Sequence, residues 1–143
     1  MSPACAVLDA AIVLITHDLA VIAEMCERVI VMYGGKIQEV AEVVELFDKP
    51  LHPYTKGLLN SIPNPIRDTK KHRLDAIRGM VPNILDFPEG CKFCTRCDEK
   101  LDICDTIEPK LQELSPGHFV RCHLYSQQTT EHASEVHNQE VRD

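Results

Sequence analysis

Residues 29–41 read Val29-Ile30-Val31-Met32-Tyr33-Gly34-Gly35-Lys36-Ile37-Gln38-Glu39-Val40-Ala41. Val29 to Tyr33 is a β-branched and aromatic run, and Lys36 to Ala41 is a second segment of strand length. The two glycines between them tolerate the positive φ of a tight primed turn, so the stretch predicts a β-hairpin. Upstream, Ala10 to Thr16 is continuously apolar and β-branched, the pattern of a strand covered on both faces in a parallel sheet. Such a strand needs neighbours. Asp18 can cap a helix whose Leu19, Ile22, Ala23 and Cys26 fall at i, i+3, i+4 and i+7 and form one buried stripe. Downstream, a short helix around Glu42 to Asp48 is expected to bury Val43, Val44 and Phe47 and to stop before Pro50. Pro53 suits the first turn of a further helix, with Tyr54, Leu58 and Ile62 sharing a face before Pro63 and Pro65 end it.

Beyond that point the composition changes. Ile66 to Leu74 reads as a basic linker, and Asp75 to Tyr125 holds five of the seven cysteines with little amphipathic periodicity, so this segment needs a staple. Ser126 to Asp143 is polar, lacks aromatics and reads as a disordered tail, because it cannot offset its ordering entropy by burying surface. A chain of 143 residues supports one modest core or two small regions joined by a linker. With 44% apolar and 26% charged residues it has an ordinary globular composition, and the absence of Trp makes the core largely aliphatic. The net charge of -7 disfavours broad contact with a phosphate backbone, so nucleic acid is not expected as a partner. No apolar run approaches the roughly 20 residues of a membrane-spanning helix, and the first residues lack a signal-peptide pattern, so a cytoplasmic location without a direct span is expected. Seven cysteines are many for a reducing compartment, and an odd count fits a closed disulfide framework poorly, which makes metal ligation the leading alternative.

The segment Leu14-Ile15-Thr16-His17-Asp18-Leu19 places His17 at the C-terminal end of the expected buried strand, the edge where open α/β sheets bind ligands. An imidazole there can donate to a phosphate oxygen or an attacking water, although a lone histidine after a strand is more often structural. Together with Val29-Ile30-Val31-Met32-Tyr33-Gly34-Gly35-Lys36-Ile37, this segment resembles the switch-histidine region of ABC-transporter ATPases. The segment Asp48-Lys49-Pro50-Leu51-His52-Pro53-Tyr54-Thr55-Lys56-Gly57-Leu58-Leu59 resembles the His-Pro-Tyr-Thr segment of dipeptide and oligopeptide importers. The resemblance runs on through Ile77-Arg78-Gly79-Met80-Val81-Pro82, Pro88-Glu89-Gly90-Cys91-Lys92-Phe93, Arg96-Cys97, Cys104 and Val120-Arg121-Cys122-His123-Leu124-Tyr125, covering most of residues 14–125.

The resemblance implies that His17 contacts the γ-phosphate of ATP held with magnesium between two subunits, as an electrostatic and positioning group. It implies a second ATPase subunit and membrane permease subunits as partners, at the inner face of the cytoplasmic membrane. It also implies that Cys91, Cys97, Cys104 and Cys122 form a cluster that in some members resembles a four-iron four-sulfur site. Four thiolates equally suffice for zinc, and the C-x5-C-x6-C-x17-C spacing does not identify the metal. Cys94 is extra relative to the family pattern and could replace a ligand. Reduced, buried thiols without metal are the plain alternative, to which Cys5 and Cys26 belong. For His52 and Tyr54 packing is favoured over catalysis, and His118 and His123 receive no ligand role.

The phosphate loop, the acidic pair and the signature loop that an ABC ATPase needs are absent from these residues, and only 16 residues precede His17. The expected fold is therefore α/β, a truncated C-terminal piece of a P-loop ABC ATPase domain followed by a small cysteine-rich C-terminal extension. Residues 1–48 would be the remnant of the nucleotide-binding domain, 49–74 the helical transporter segment and linker, 75–125 the cysteine-rich domain and 126–143 the tail. The expected function is that of a fragment of the subunit that powers peptide import, inactive alone. The alternatives are a stand-alone iron–sulfur or zinc regulatory module and, weakened by the negative charge, a zinc-ribbon nucleic-acid reader.

Overall fold

The structure is a computed structural model that describes residues 11–62 and 77–126. Strands β1 (Arg28–Tyr33) and β2 (Lys36–Glu42) pair antiparallel across Gly34 and Gly35, whose φ values of 56° and 74° are those a primed turn demands. β1 alternates cleanly, with Val29, Val31 and Tyr33 buried and Arg28, Ile30 and Met32 facing out. The register shifts between Val31, opposite Glu39, and Met32, opposite Ile37, so Gln38 is the extra residue of a bulge. The bulge interrupts alternation in β2, where Gln38, Glu39, Val40 and Ala41 are all buried.

A second hairpin, β3 (Gln112–Ser115) and β4 (His118–Val120), docks on the first. β4 pairs antiparallel with β2, Glu39 opposite Val120 and Val40 opposite Phe119, and the sheet order is β1-β2-β4-β3. Among the described residues three α-helices accompany the sheet. In α1 (Leu19–Met25) the Asp18 carboxylate accepts from the N–H groups of Ala20 and Val21 at 2.9 and 3.3 Å, the capping expected from the sequence. α2 (Val43–Asp48) follows β2 directly, and α3 (Pro53–Asn60) has Pro in its first turn.

Two adjoining cores form. Val29, Val31, Ala41 and Leu46 make one, with Ile22, Val43, Tyr54 and Leu58 packed against it. Tyr33, Cys91, Phe93, Cys94 and Cys104 make the other, with Tyr54, Ile77, Phe87 and Cys97 at its edge. Tyr54 belongs to both, so the cysteine-bearing segment packs on the hairpin and α3.

Several expectations are corrected. Residues 11–16 are not a strand: no neighbouring strand among the described residues offers them a ladder, and Ile12, Val13 and Ile15 stand 69%, 87% and 95% exposed. The four-stranded sheet is antiparallel throughout, so the described residues form a small mixed helix and antiparallel-sheet domain instead of a parallel α/β layer. The α1 stripe is only half-buried at Leu19, Ile22 and Cys26, and Ala23 is exposed. In α2 the buried side chain is Leu46, whereas Val44 faces out, because a helix packed along one side of a hairpin buries a narrow stripe. Ile62 is exposed rather than packed with Tyr54 and Leu58. The expected linker at 66–74, and the expected tail apart from Ser126, lie outside the described residues.

Candidate functional site

The turn before α3 is held by buried polar side chains. Glu39, wholly buried on β2, accepts the N–H of Leu51 at 2.8 Å and that of His52 at 2.9 Å, and so fixes the entry into the helix. The His52 ring, 1% exposed, then acts as the helix cap: its Nδ1 accepts the N–H of Tyr54 at 3.0 Å. A ring that accepts at Nδ1 is neutral with its proton on Nε2. Burial favours that form and pushes the His52 pKa down to about 4, the Lys56 charge adding to the effect and the Arg121 backbone opposing it. Tyr54 stacks at 4.8 Å from Tyr33 and 5.3 Å from Phe93, and Phe93 lies 5.8 Å from His52. Tyr54 thus packs its ring, the role favoured from the sequence, and His52 adds a helix cap that the sequence reading did not foresee.

His17 occupies the bend between residues 11–16 and α1 and is exposed. Beside it the Thr16 hydroxyl accepts the Asp18 N–H at 3.0 Å, which with the Asp18 cap shapes the start of the helix. A cleft of about 420 Å³ lined by Pro53, Lys56, Arg78, Arg96, Asp98 and Glu99 includes neither His17 nor any cysteine.

Of the four singled-out cysteines, Cys91 and Cys104 belong to the second core and Cys97 packs against it. Cys91, Cys104 and Cys122 are buried, Cys97 is half-buried, and all are free thiols. Segment 90–91 is tied to segment 104–105 through Gly90 N–H to the Asp105 carbonyl at 3.2 Å and Cys91 N–H to the Cys104 carbonyl at 2.8 Å. Gly90 permits this approach, since a Cβ there would run into the Cys104 carbonyl and sit 2.8 Å from the Asp105 carbonyl carbon. Burial pushes the Cys122 thiol up to about 12; the Leu124 backbone opposes this, and charge on Cys91, Cys97 or Cys104 adds to it. Burial likewise pushes Cys97 up to about 11, with Cys91 and Cys104 adding to the rise. The four thiols therefore lie within electrostatic reach of one another. Cys94 is raised to about 11 by burial and then by Asp105, whose carboxylate accepts from its Sγ at 3.6 Å.

Thiols held this way stay protonated near neutral pH and are poor nucleophiles or ligands until a cation offsets the charge. A tetrahedral zinc draws its sulfurs to about 2.3 Å from the metal, hence to within about 4 Å of one another. Among the described residues no group of three or more His, Cys, Asp or Glu side chains is arranged to hold a metal ion. The donor chemistry suits a metal, but the arrangement does not fit a mononuclear zinc. No helix among the described residues is long and apolar enough to cross a membrane.

Glu39 and His118, not singled out as site residues from the sequence, proved central to the architecture. The local sign is a polar pair, Gln38-Glu39, set between Ile37 and Val40-Ala41 in the middle of β2.

Residues 38–104, which hold the Glu39–His52 turn, Tyr54, Phe93 and three of the four clustered thiols, match the model of the oligopeptide/dipeptide transporter C-terminal region. The chain belongs to that family. It is 46% identical over 131 residues, 92% of its length, to the oligopeptide transport ATP-binding protein AppD of Bacillus subtilis. It is 46% identical over 108 residues, 76% of its length, to a putative peptide import ATP-binding protein of Brucella ovis. A probable peptide ABC transporter ATP-binding protein of Sinorhizobium fredii is 46% identical over 112 residues, 78% of the chain. These matches span only 39%, 34% and 33% of the respective relatives, so the chain covers little more than a third of their length at most.

Proposed function

We propose that this chain is the C-terminal portion of an ATP-binding subunit that powers import of dipeptides or oligopeptides across the cytoplasmic membrane, and that it does not hydrolyse ATP by itself. The observation that carries the reading is the identity to AppD across nearly the whole chain. In the complete subunit His17 donates a hydrogen bond to the γ-phosphate of ATP bound with magnesium, positioning rather than attacking it. The exposed bend that holds His17 supports this role, since the phosphate-binding groups must come from other residues. Partners are a second ATPase subunit and permease subunits, at the cytoplasmic face of the membrane. Residues 1–48 then belong to the nucleotide-binding domain, and residues 49–74 and 75–125 form the family's extension. Co-purification with permease subunits, together with magnesium-dependent ATP hydrolysis no greater than background for the chain alone, is the expected outcome. Turnover by the isolated chain that His17→Ala abolishes would overturn it.

A second reading, a cysteine-bound iron–sulfur module on Cys91, Cys97, Cys104 and Cys122, has against it that no group of three or more His, Cys, Asp or Glu side chains among the described residues is arranged to hold a metal ion. A cluster would offset the charge of four thiolates, three of them buried, and staple a segment poor in regular structure. Iron and acid-labile sulfide analysis of protein purified without oxygen tests it: about four of each per chain, lost in Cys97→Ala, is the supporting result. Zinc alone would favour a structural staple, and a folded chain with no metal would dismiss both.

A further inference from the structure

His118, on β4 and 1% exposed, stands between two carboxylates from different elements. Its Nε2 lies 2.7 Å from Oε1 of Glu39 on β2, and its Nδ1 lies 3.1 Å from Oε1 of Glu45 on α2. Glu39 already accepts the N–H groups of Leu51 and His52, and Glu45 accepts the Ser115 hydroxyl of β3 at 3.1 Å. Lys49 is the other charge acting on the Glu45 carboxylate. An ionised carboxylate can only accept, so a ring nitrogen facing one must carry a proton. With both carboxylates ionised, the two contacts are satisfied together only by the doubly protonated imidazolium.

We propose that Glu39, His118 and Glu45 form a proton-operated latch that fastens the β3–β4 hairpin to α2 while leaving its attachment to β2 permanent. With the imidazolium in place, α2, β2, β3 and β4 are joined through one ring. Loss of one proton leaves a lone pair opposite a carboxylate oxygen at one of the two contacts. The Glu39 contact is the one that survives: that carboxylate is wholly buried, cannot reach water, and is anchored by two backbone donors. Glu45, whose side chain is 36% exposed, can turn to solvent, and it then releases Ser115 as well as His118. In the closed latch the Glu45 carboxyl is held below the ordinary carboxylate range, chiefly by the His118 hydrogen bond and then by Ser115. Rising pH thus detaches the C-terminal hairpin from α2 without disturbing the turn at Leu51–His52. The latch does not depend on the transport reading.

The test is nitrogen-15 NMR of the His118 ring in the full chain between about pH 5 and about pH 8, with amide-exchange protection factors for β3 and β4 measured in parallel. The expected result is loss of the Nδ1 proton with retention of the Nε2 proton. A fall in hairpin protection of about three- to tenfold should follow over the same range. Glu45→Gln, at a partly exposed site that spares the fold, can donate to or accept from Nδ1 and should abolish the fall. A ring carrying a single proton throughout, protection that does not follow the ring, or a fall unchanged in Glu45→Gln would overturn the latch.

Discussion

Acidification should unfasten the turn before α3 through His52. Its ring is buried and neutral in the fold, with a pKa pushed down to about 4 chiefly by burial, against an ordinary value of 6.5. The unfolded chain therefore binds this proton more readily than the folded chain, and stability must fall as pH drops below about 6.5 toward about 4. A depressed folded pKa contributes stability that is complete above the unfolded value, so nothing should change between pH 7 and more alkaline conditions on account of this group. At about 1.4 kcal/mol per tenfold change in proton affinity, the drop from 6.5 to about 4 corresponds to about 3 kcal/mol, most of it above pH 4.5. That window matters because Glu45, Asp105 and Glu108, all held below the ordinary carboxylate range, begin to protonate only lower down. The assay is urea denaturation followed by far-ultraviolet circular dichroism at steps of pH, for the native chain and for His52→Asn. Asparagine keeps a cap acceptor but does not titrate, so the variant should lose most of the slope. Equal slopes in the two proteins between about pH 6.5 and about 4.5 would refute the reasoning.

Three further outcomes are expected. Phe93→Ala removes a ring that is 3% exposed and packed 5.2 Å from Tyr33 and 5.3 Å from Tyr54; it should cost about 3–5 kcal/mol in the same denaturation assay, and Val44→Ala on the exposed side of α2 about 0.5 kcal/mol or less. Gly90→Ala forces a Cβ against the backbone of Cys104 and Asp105 and should destabilise by about 1–3 kcal/mol, read as a lowered thermal midpoint. The Glu45 carboxylate contributes stability above its ordinary 4.5 that is lost as pH falls below it, so a comparison of Glu45→Gln with the native chain in urea should show the difference shrinking toward acid.

The parts of the fold legible in the sequence were those decided by neighbours in the chain. Gly34-Gly35 between two β-branched runs, Asp18 before α1 and Pro53 at the start of α3 each act within a few residues, and each stands where expected. Where burial depends on what else is nearby, the reading went astray. The apolar run ending at Thr16 has strand chemistry but no partner among the described residues, and the six residues of α2 are too few for periodicity to choose Leu46 over Val44. The site divides the same way. The family resemblance singled out the cysteines and the His52 segment; Cys91 and Cys104 lie in the second core with Cys97 packed against it, and Cys122 is buried outside that cluster. The contact between Glu39 and His118 joins residues 79 apart, and no local pattern announces it.

The central claim is that these residues are the C-terminal part of a peptide-import ATPase subunit. The most direct measurement is peptide uptake by cells that lack such a subunit and express residues 17–143 spliced in place of the matching segment of AppD. The account predicts restored uptake that His17→Ala abolishes while the protein still assembles with the permease. A chimera that folds and assembles yet supports no uptake, or uptake indifferent to His17→Ala, would contradict it.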